Sequence, residues 1–176
     1  MKTFVWLIGK PGSGKTTVGN FLAQSDGIVH FSSSALLKEV QPNPGPEGYS
    51  MEDRKKVLEV YFKARDQYDV IIVDGNPYSE MGLHIIDLIA PYFDATHIIH
   101  LTIDDDKALA RLTERDREVL AHDGTTEEDR LKRFNIKLLP LIEAYKQYEK
   151  VIEIDVGDSN SEAVAQKILV EVLDRA

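Results

Sequence analysis

The sequence contains no cysteine. Disulfide-stapled scaffolds and thiolate zinc sites are therefore excluded. It also lacks a long apolar run: none reaches the ~18 residues that a membrane-spanning helix needs. At the N-terminus, Lys2 precedes an apolar stretch that stops at Gly9, which is too short for the core of a secretory signal. A cytoplasmic location is expected. Cations are scarce too, with 21 Lys and Arg against 30 Asp and Glu and a net charge of −9. A surface of that sign repels nucleic acid and anionic membranes, so neither is an expected partner. A nucleotide ligand is still compatible with it, because such a ligand needs only a few local cations. The chain's 176 residues, 43% of them hydrophobic, suit a single domain over 1–176 with a sizeable core, and a monomer is expected. No internal repeat or low-complexity tract is present.

What is present is concentrated near the start. The apolar run Val5-Trp6-Leu7-Ile8 leads into Gly9-Lys10-Pro11-Gly12-Ser13-Gly14-Lys15-Thr16-Thr17, and Val18-Gly19-Asn20-Phe21-Leu22-Ala23 follows as a helix start. Strand, G-x-x-x-x-G-K-[ST], helix is the phosphate-binding loop in the context it requires. The glycines let successive backbone N–H groups point into one concavity, and the helix N-terminus adds partial positive charge. Lys15 is positioned to reach β- and γ-phosphates, and the Thr16 hydroxyl to hold Mg²⁺.

The rest alternates strand and helix. A first strand runs over 2–8, and a helix runs from Thr16 to about Ser25. A short strand follows over 27–31, then a helix through Ala35–Val40 with Ser32, Ser33 and Ser34 as N-cap candidates. Pro42, Pro44, Gly45, Pro46 and Gly48 make 41–50 a loop. Ser50 followed by Asp53 opens a helix over 51–66. Asp69-Val70-Ile71-Ile72-Val73-Asp74-Gly75 reads as a strand buried on both faces, and Asp74 ends it at the sheet edge where open α/β sheets bind ligands. A helix over 80–89, a strand over 96–103 and a helix over 104–120 follow. A long helix then runs from Thr125 to about Lys150, with a kink expected at Pro140. A fifth strand over 151–155 and an amphipathic helix over 161–174 complete the chain. This alternation predicts an α/β fold, a parallel sheet covered by helices on both faces.

Later segments resemble the adenylate kinase-like nucleoside monophosphate kinases, and the resemblance runs over nearly the whole chain. Gly9-Lys10-Pro11-Gly12-Ser13-Gly14-Lys15 is close to that family's G-x-P-G-x-G-K. Phe31-Ser32-Ser33-Ser34-Ala35-Leu36-Leu37-Lys38 is similar to I-S-T-G-D-L-L-R, and Val73-Asp74-Gly75-Asn76-Pro77-Tyr78 to L-D-G-F-P-R. Ala110-Arg111-Leu112-Thr113-Glu114-Arg115 resembles the R-x-x-x-R that opens the lid. Glu127 to Phe134 and Leu139 to Tyr145 resemble E-E-x-x-x-K-R-L and x-P-L-I-x-x-Y. The resemblance implies the P-loop NTPase fold with strand order 2-3-1-4-5. It places an acceptor-binding region at about 32–67 and a short lid at about 115–124.

It also implies ATP and Mg²⁺. Gly9, Pro11, Gly12, Ser13, Gly14, Lys15, Thr16, Thr17 and Arg111 would bind the donor, with Arg111 stacked on its base. Thr16 and Asp74 would hold the metal. Arg115 and Arg133 would contact the transferred phosphate, and Ser33, Lys38, Asn76 and Tyr78 would face a small-molecule phosphate acceptor. Phosphoryl transfer needs positioned cations rather than covalent help, which suits these residue types.

The acceptor side departs from the family pattern. Tyr78 and Gly82 stand where the family has Arg and Gln. Lys38 keeps a charge but not the bidentate fork of Arg, and Ser33 keeps only the hydroxyl of the family's Thr. The pattern that usually follows the lid is reduced to His122-Asp123-Gly124, and Arg117 is the available substitute. ATP is thus the expected donor, while AMP is not implied as acceptor. Two alternatives accompany this reading. One is a P-loop kinase for a non-nucleotide small molecule, since Gly14 to Gly19 also resembles the start of shikimate kinase-like enzymes without their later motifs. The other is a regulatory module that binds ATP without transfer. His97 and His100, three apart on a strand, face opposite sides and read as packing residues rather than metal ligands. His30 reads as packing near a candidate acceptor site. Tyr61, Tyr68, Tyr145 and Tyr148 read as packing too.

Overall fold

The computed structural model describes residues 1–43, 49–75, 86–116, 126–146 and 151–174. Strand β1 (Thr3–Gly9) is buried along its whole length, as expected of an apolar run with partners on both sides. It pairs in parallel with β3 (Val70–Asp74) and with β4 (Ala95–Thr102). β2 (Ile28–Ser32) lies outside β3, and β5 (Val151–Asp155) lies outside β4. The sheet is thus five-stranded and all parallel, in the expected order β2-β3-β1-β4-β5.

Alternation along β1 builds a core on each face. Val5 and Leu7 join Ile72, Ile99 and Ile154 under α1 (Lys15–Leu22), α4 (Asp105–Asp116) and α7 (Ser161–Glu171). Phe4, Trp6 and Ile8 join Ile71, Val73 and Ile98 on the opposite face. Val57 and Tyr61 of α3 (Met51–Arg65) cover that face, with α2 (Ser33–Val40) beside them. Ile86 and Ile89, in the helical residues 86–89, pack there too, just ahead of a 3₁₀ turn at Ala90–Tyr92.

Several boundaries differ from expectation. Helix α1 ends at Leu22 rather than Ser25, and Gln24 and Ser25 turn back instead, bonding to Phe21 and Leu22 carbonyls. α7 stops at Glu171 rather than 174, where Asp174 adopts a left-handed φ of 49°. Within the described residues 126–146, the long helix expected over 125–150 is built in three parts, α5 (Glu127–Arg133), a π-helical turn (Phe134–Leu138) and α6 (Leu139–Lys146), and 125 and 147–150 lie outside the described residues. The π turn lies just ahead of Pro140, where a kink is expected. Pro140 cannot donate, and its ring clashes with the carbonyl four residues back. The chain meets this with a wider turn in which Leu139 N–H donates to Phe134 O. The helix expected over 80–89 lies outside the described residues up to 85. The same holds for the lid beyond Asp116 and for part of the Pro-rich loop.

Candidate active site

The sheet's carboxyl edge is set by register. Leu7 of β1 stands beside Asp74, the last residue of β3, and Gly9 beside Leu101 of β4. Strand order reverses across β1, so the chain after Gly9 emerges into the crevice where such sheets take ligands. The loop from Gly9 to Gly14 wraps tightly against its surroundings. Gly12 has φ 81°, and a Cβ on it would lie 2.5 Å from the Ala108 carbonyl oxygen of α4. Gly14, also left-handed, is the N-cap of α1, so Lys15 and Thr16 open the helix with its N-terminus toward the loop. Lys15 Nζ donates to the carbonyls of Gly9 (2.8 Å) and Lys10 (3.1 Å). Ser13 is 1% exposed, and its Oγ has no hydrogen-bond partner. A polar group left so costs about 1–3 kcal/mol, an unmet demand of the kind an oxygen-rich ligand relieves.

Asp74 is 4% exposed. Burial pushes its carboxyl up. Hydrogen bonds from His30 and Thr16, with the charges of His30 and Lys15, more than offset this and hold it below the usual carboxylate range. A buried, ionised carboxylate therefore stands against the first turn of α1. His30 Nε2 lies 2.9 Å from Asp74 Oδ2, and its Nδ1 lies 2.9 Å from Asn20 Oδ1. On the other face, the indole N–H of Trp6 donates to the carbonyl of Gly75 at 2.8 Å.

The structure thus brings Lys15, Thr16 and Asp74 to one place. It also sets Ser33 near by: a Cβ on Gly75 would lie 2.8 Å from that of Ser33. The Ser33 hydroxyl is 3.0 Å from the hydroxyl of Tyr61. Thr17 and Lys38 are exposed, on α1 and in the last turn of α2. Arg111 of α4 donates from Nη2 to the carbonyls of Gly157 (3.2 Å) and Ser159 (3.5 Å), which ties it to the loop after β5. Arg133 is exposed at the end of α5. Arg115 lies in the backbone of α4, but its side chain, like Asn76 and Tyr78, is outside the described residues.

Two connections were not anticipated from sequence. Asn20, His30 and Asp74 form one line of contacts; the signal available was Gly19, which carries no side chain to block the His30 ring. Lys10, within the loop, pairs with Asp105 at 2.5 Å, and Asp105 accepts from Asn135 Nδ2 at 2.9 Å. This chain of contacts joins the loop to the π turn just after Arg133. On β4, His97 is half-buried. His100 is buried, 3.2 Å from Glu153 Oε1 and against Phe134. Tyr61 packs on Phe4 and Phe31.

The profile of the family described as "AAA domain" matches residues 4–138. The chain belongs to this family. Among individual proteins, the AAA-domain chain is similar to the adenylate kinase of Rhodopirellula baltica, 26% identical over 168 residues that cover 88% of each. It is similar as well to the UMP-CMP kinase of Gallus gallus, 25% identical over 194 residues that cover 97% of this chain and 96% of the other. Its fold is shared by a shikimate kinase of Acinetobacter baumannii, solved with shikimate (TM-score 0.63, 18% identity, 99% of this chain and 94% of the other). A gluconokinase of Sinorhizobium meliloti shares it also (TM-score 0.62, 16% identity, 98% and 92%). The fold is that of the P-loop kinases.

Proposed function

We propose that the protein transfers the γ-phosphoryl group of ATP to a small acceptor in a Mg²⁺-dependent reaction, and that the acceptor is a nucleoside monophosphate. The observation that carries this is the placement of Asp74. An ionised carboxylate at the end of β3 accepts from Thr16, the residue after the loop lysine. A hydroxyl and a carboxylate are the hard oxygen donors that Mg²⁺ prefers, and this ion is commonly held by one or two such groups plus substrate phosphates. Among the described residues no group of three or more His, Cys, Asp or Glu could hold a metal ion, so the remaining ligands would be water and phosphate oxygens. When bound, Mg²⁺ neutralises charge developing on the bridging phosphate oxygens.

The roles of this chain's own residues follow. Backbone N–H groups between Gly9 and Thr16, with Thr17 beside them, cradle the donor phosphates, and Pro11 and Ser13 shape the loop. Lys15 leaves the loop carbonyls it now bonds and reaches the β- and γ-phosphates. Arg111 borders the donor base. Arg115 and Arg133 approach the moving group, and Ser33, Lys38, Asn76 and Tyr78 hold the acceptor. The bond from γ-phosphorus to the ADP oxygen breaks, and one to an acceptor oxygen forms. A monophosphate attacks through an oxygen that is already anionic, so no group need take up a proton. That matches an Asp74 already engaged by Thr16 and His30. It also agrees with the adenylate and UMP-CMP kinases among the relatives.

A hydroxyl acceptor is the second reading, favoured by the exposed Lys38 in place of a guanidinium fork. The deciding experiment is a coupled ADP-release assay with Mg·ATP. It is run against AMP, CMP, UMP, GMP, dTMP and a set of sugar and aromatic-acid acceptors. Turnover with one monophosphate is expected, and Lys15→Ala should lower it at least about a hundredfold, the loss typical of removing one transition-state donor. Turnover with a hydroxyl acceptor alone would replace the monophosphate reading. ATP binding without turnover across the panel would leave a nucleotide-binding regulatory module.

A further inference from the structure

We propose that His30 is a positioning residue for Asp74, and that Asn20 fixes the orientation of its ring. The assignment rests on the phosphate-site reading above and adds to it a residue outside the loop, the lid and the acceptor region.

Three elements converge to build the arrangement. Along β2, Ile28 belongs to the core under α1 while Val29 and Phe31 belong to the opposite one, so alternation sends His30 toward α1. There it meets Gly19. A Cβ on that glycine would overlap the imidazole, whose Cδ2, Nε2 and Cε1 are the three atoms nearest to it. The ring therefore lies flush on the α1 backbone, one residue from Asn20 and one turn from Thr16. Its side chain is 6% exposed and that of Asp74 is 5%. Nε2 and Nδ1 each have one partner at 2.9 Å, Asp74 Oδ2 and Asn20 Oδ1. A carboxylate only accepts, so Nε2 carries the proton between them.

The consequence is geometric. Asp74 ends its strand, and the next residue, Gly75, has φ 146° and no side chain of its own to brace it. Its carboxylate has about four lone-pair directions. The ring occupies one of them and fixes the side-chain torsion, which leaves the others turned toward Thr16 and the loop. Asn20 in turn keeps the imidazole from rotating. An outer partner of this kind typically changes metal affinity about 10–100-fold.

The test is nucleotide binding, read by isothermal titration and by the emission of Trp6, the single tryptophan, whose indole bonds the Gly75 carbonyl. ATP is titrated with Mg²⁺ and again in EDTA, for wild type, His30→Leu, His30→Gln and Asn20→Ala. We expect His30→Leu to cut the Mg²⁺-dependent gain in ATP affinity about tenfold or more while leaving the EDTA affinity unchanged. His30→Gln, which can still donate, should recover most of the gain, and Asn20→Ala should lose part of it. An equal gain in wild type and His30→Leu would overturn the proposal. So would parallel losses with and without Mg²⁺, which would make His30 a packing residue only. If His30→Leu does not fold, an undiminished gain in Asn20→Ala decides against it. Wild type that binds no ATP at all removes the phosphate-site reading and this assignment with it; wild type that binds while the variants match it removes only this one.

Discussion

Tyr61 illustrates how a single side chain can tie the acceptor face to stability. Its ring packs between Phe4 and Phe31, and its hydroxyl meets Ser33. Burial pushes the phenol up from an ordinary 10.0 to about 12, against the lowering effect of the Ser33 bond. The sign is then fixed: the folded chain keeps this proton where the unfolded chain has lost it. The stabilisation is complete below pH 10 and is lost as pH rises from about 10 to about 12, a loss of up to roughly 2–3 kcal/mol. Tyr61→Phe keeps the ring contacts and loses one hydrogen bond, about 1 kcal/mol at neutral pH. Urea unfolding at pH 8 and pH 10.5 should show a smaller alkaline loss for the variant than for wild type; equal losses would place the titration elsewhere. At this scale the phosphate loop was legible because its chemistry is written in consecutive residues. The Asn20–His30–Asp74 line was not, since it joins residues 54 positions apart in sequence across three elements.

Among the elements, α1 and α5 are specified by their first turns. The loop before α1 is held by close approach: Gly12→Ala puts a methyl into the Ala108 carbonyl and a side chain at φ 81°. Such backbone strain alone costs about 1–3 kcal/mol. We expect the variant to melt lower and to bind ATP more weakly, because the loop or α4 must shift to make room. Thermal unfolding and the binding titration check this, and wild-type values in both would show that the loop relaxes freely. At α5, Thr126 and Asp129 form a full capping box, with Thr126 Oγ accepting from Asp129 N–H at 3.1 Å. Thr126→Ala should cost about 1 kcal/mol, measurable by urea unfolding.

The sequence announced the equivalent box at Ser50 and Asp53 of α3, and the structure contains it. It gave no sign of the π turn, and the reason is physical. Leu131, Phe134, Leu138 and Ile142 keep a helical spacing of three or four, and an i→i+5 bond leaves no mark on that pattern. Only Pro140 signalled a disturbance.

At the scale of the whole molecule, β1 is the shared wall of both cores. Leu7 is buried in one and Phe4 in the other, and Leu131 and Phe134, at the junction of α5 with the π turn, divide in the same way. Parallel strands with crossover helices leave neither face able to form without the other, since each strand's alternate residues belong to opposite layers. The alternation of elements made that layered plan readable from sequence, while the strand order came from family resemblance, because no local signal says which strand neighbours which.

The plan predicts cooperative unfolding. Trp6 reports on one core, and far-ultraviolet circular dichroism reports on helices of both. In urea the two signals should change with one midpoint and one slope. Leu7→Ala and Phe134→Ala, each about 2–5 kcal/mol for a fully buried large side chain, should move both signals together even though they open cavities in different layers. An early Trp6 transition in either variant would show instead that the face carrying α2, α3 and the acceptor-side residues opens alone. Substrate-side motion would then have its own local stability, separable from the phosphate-loop face.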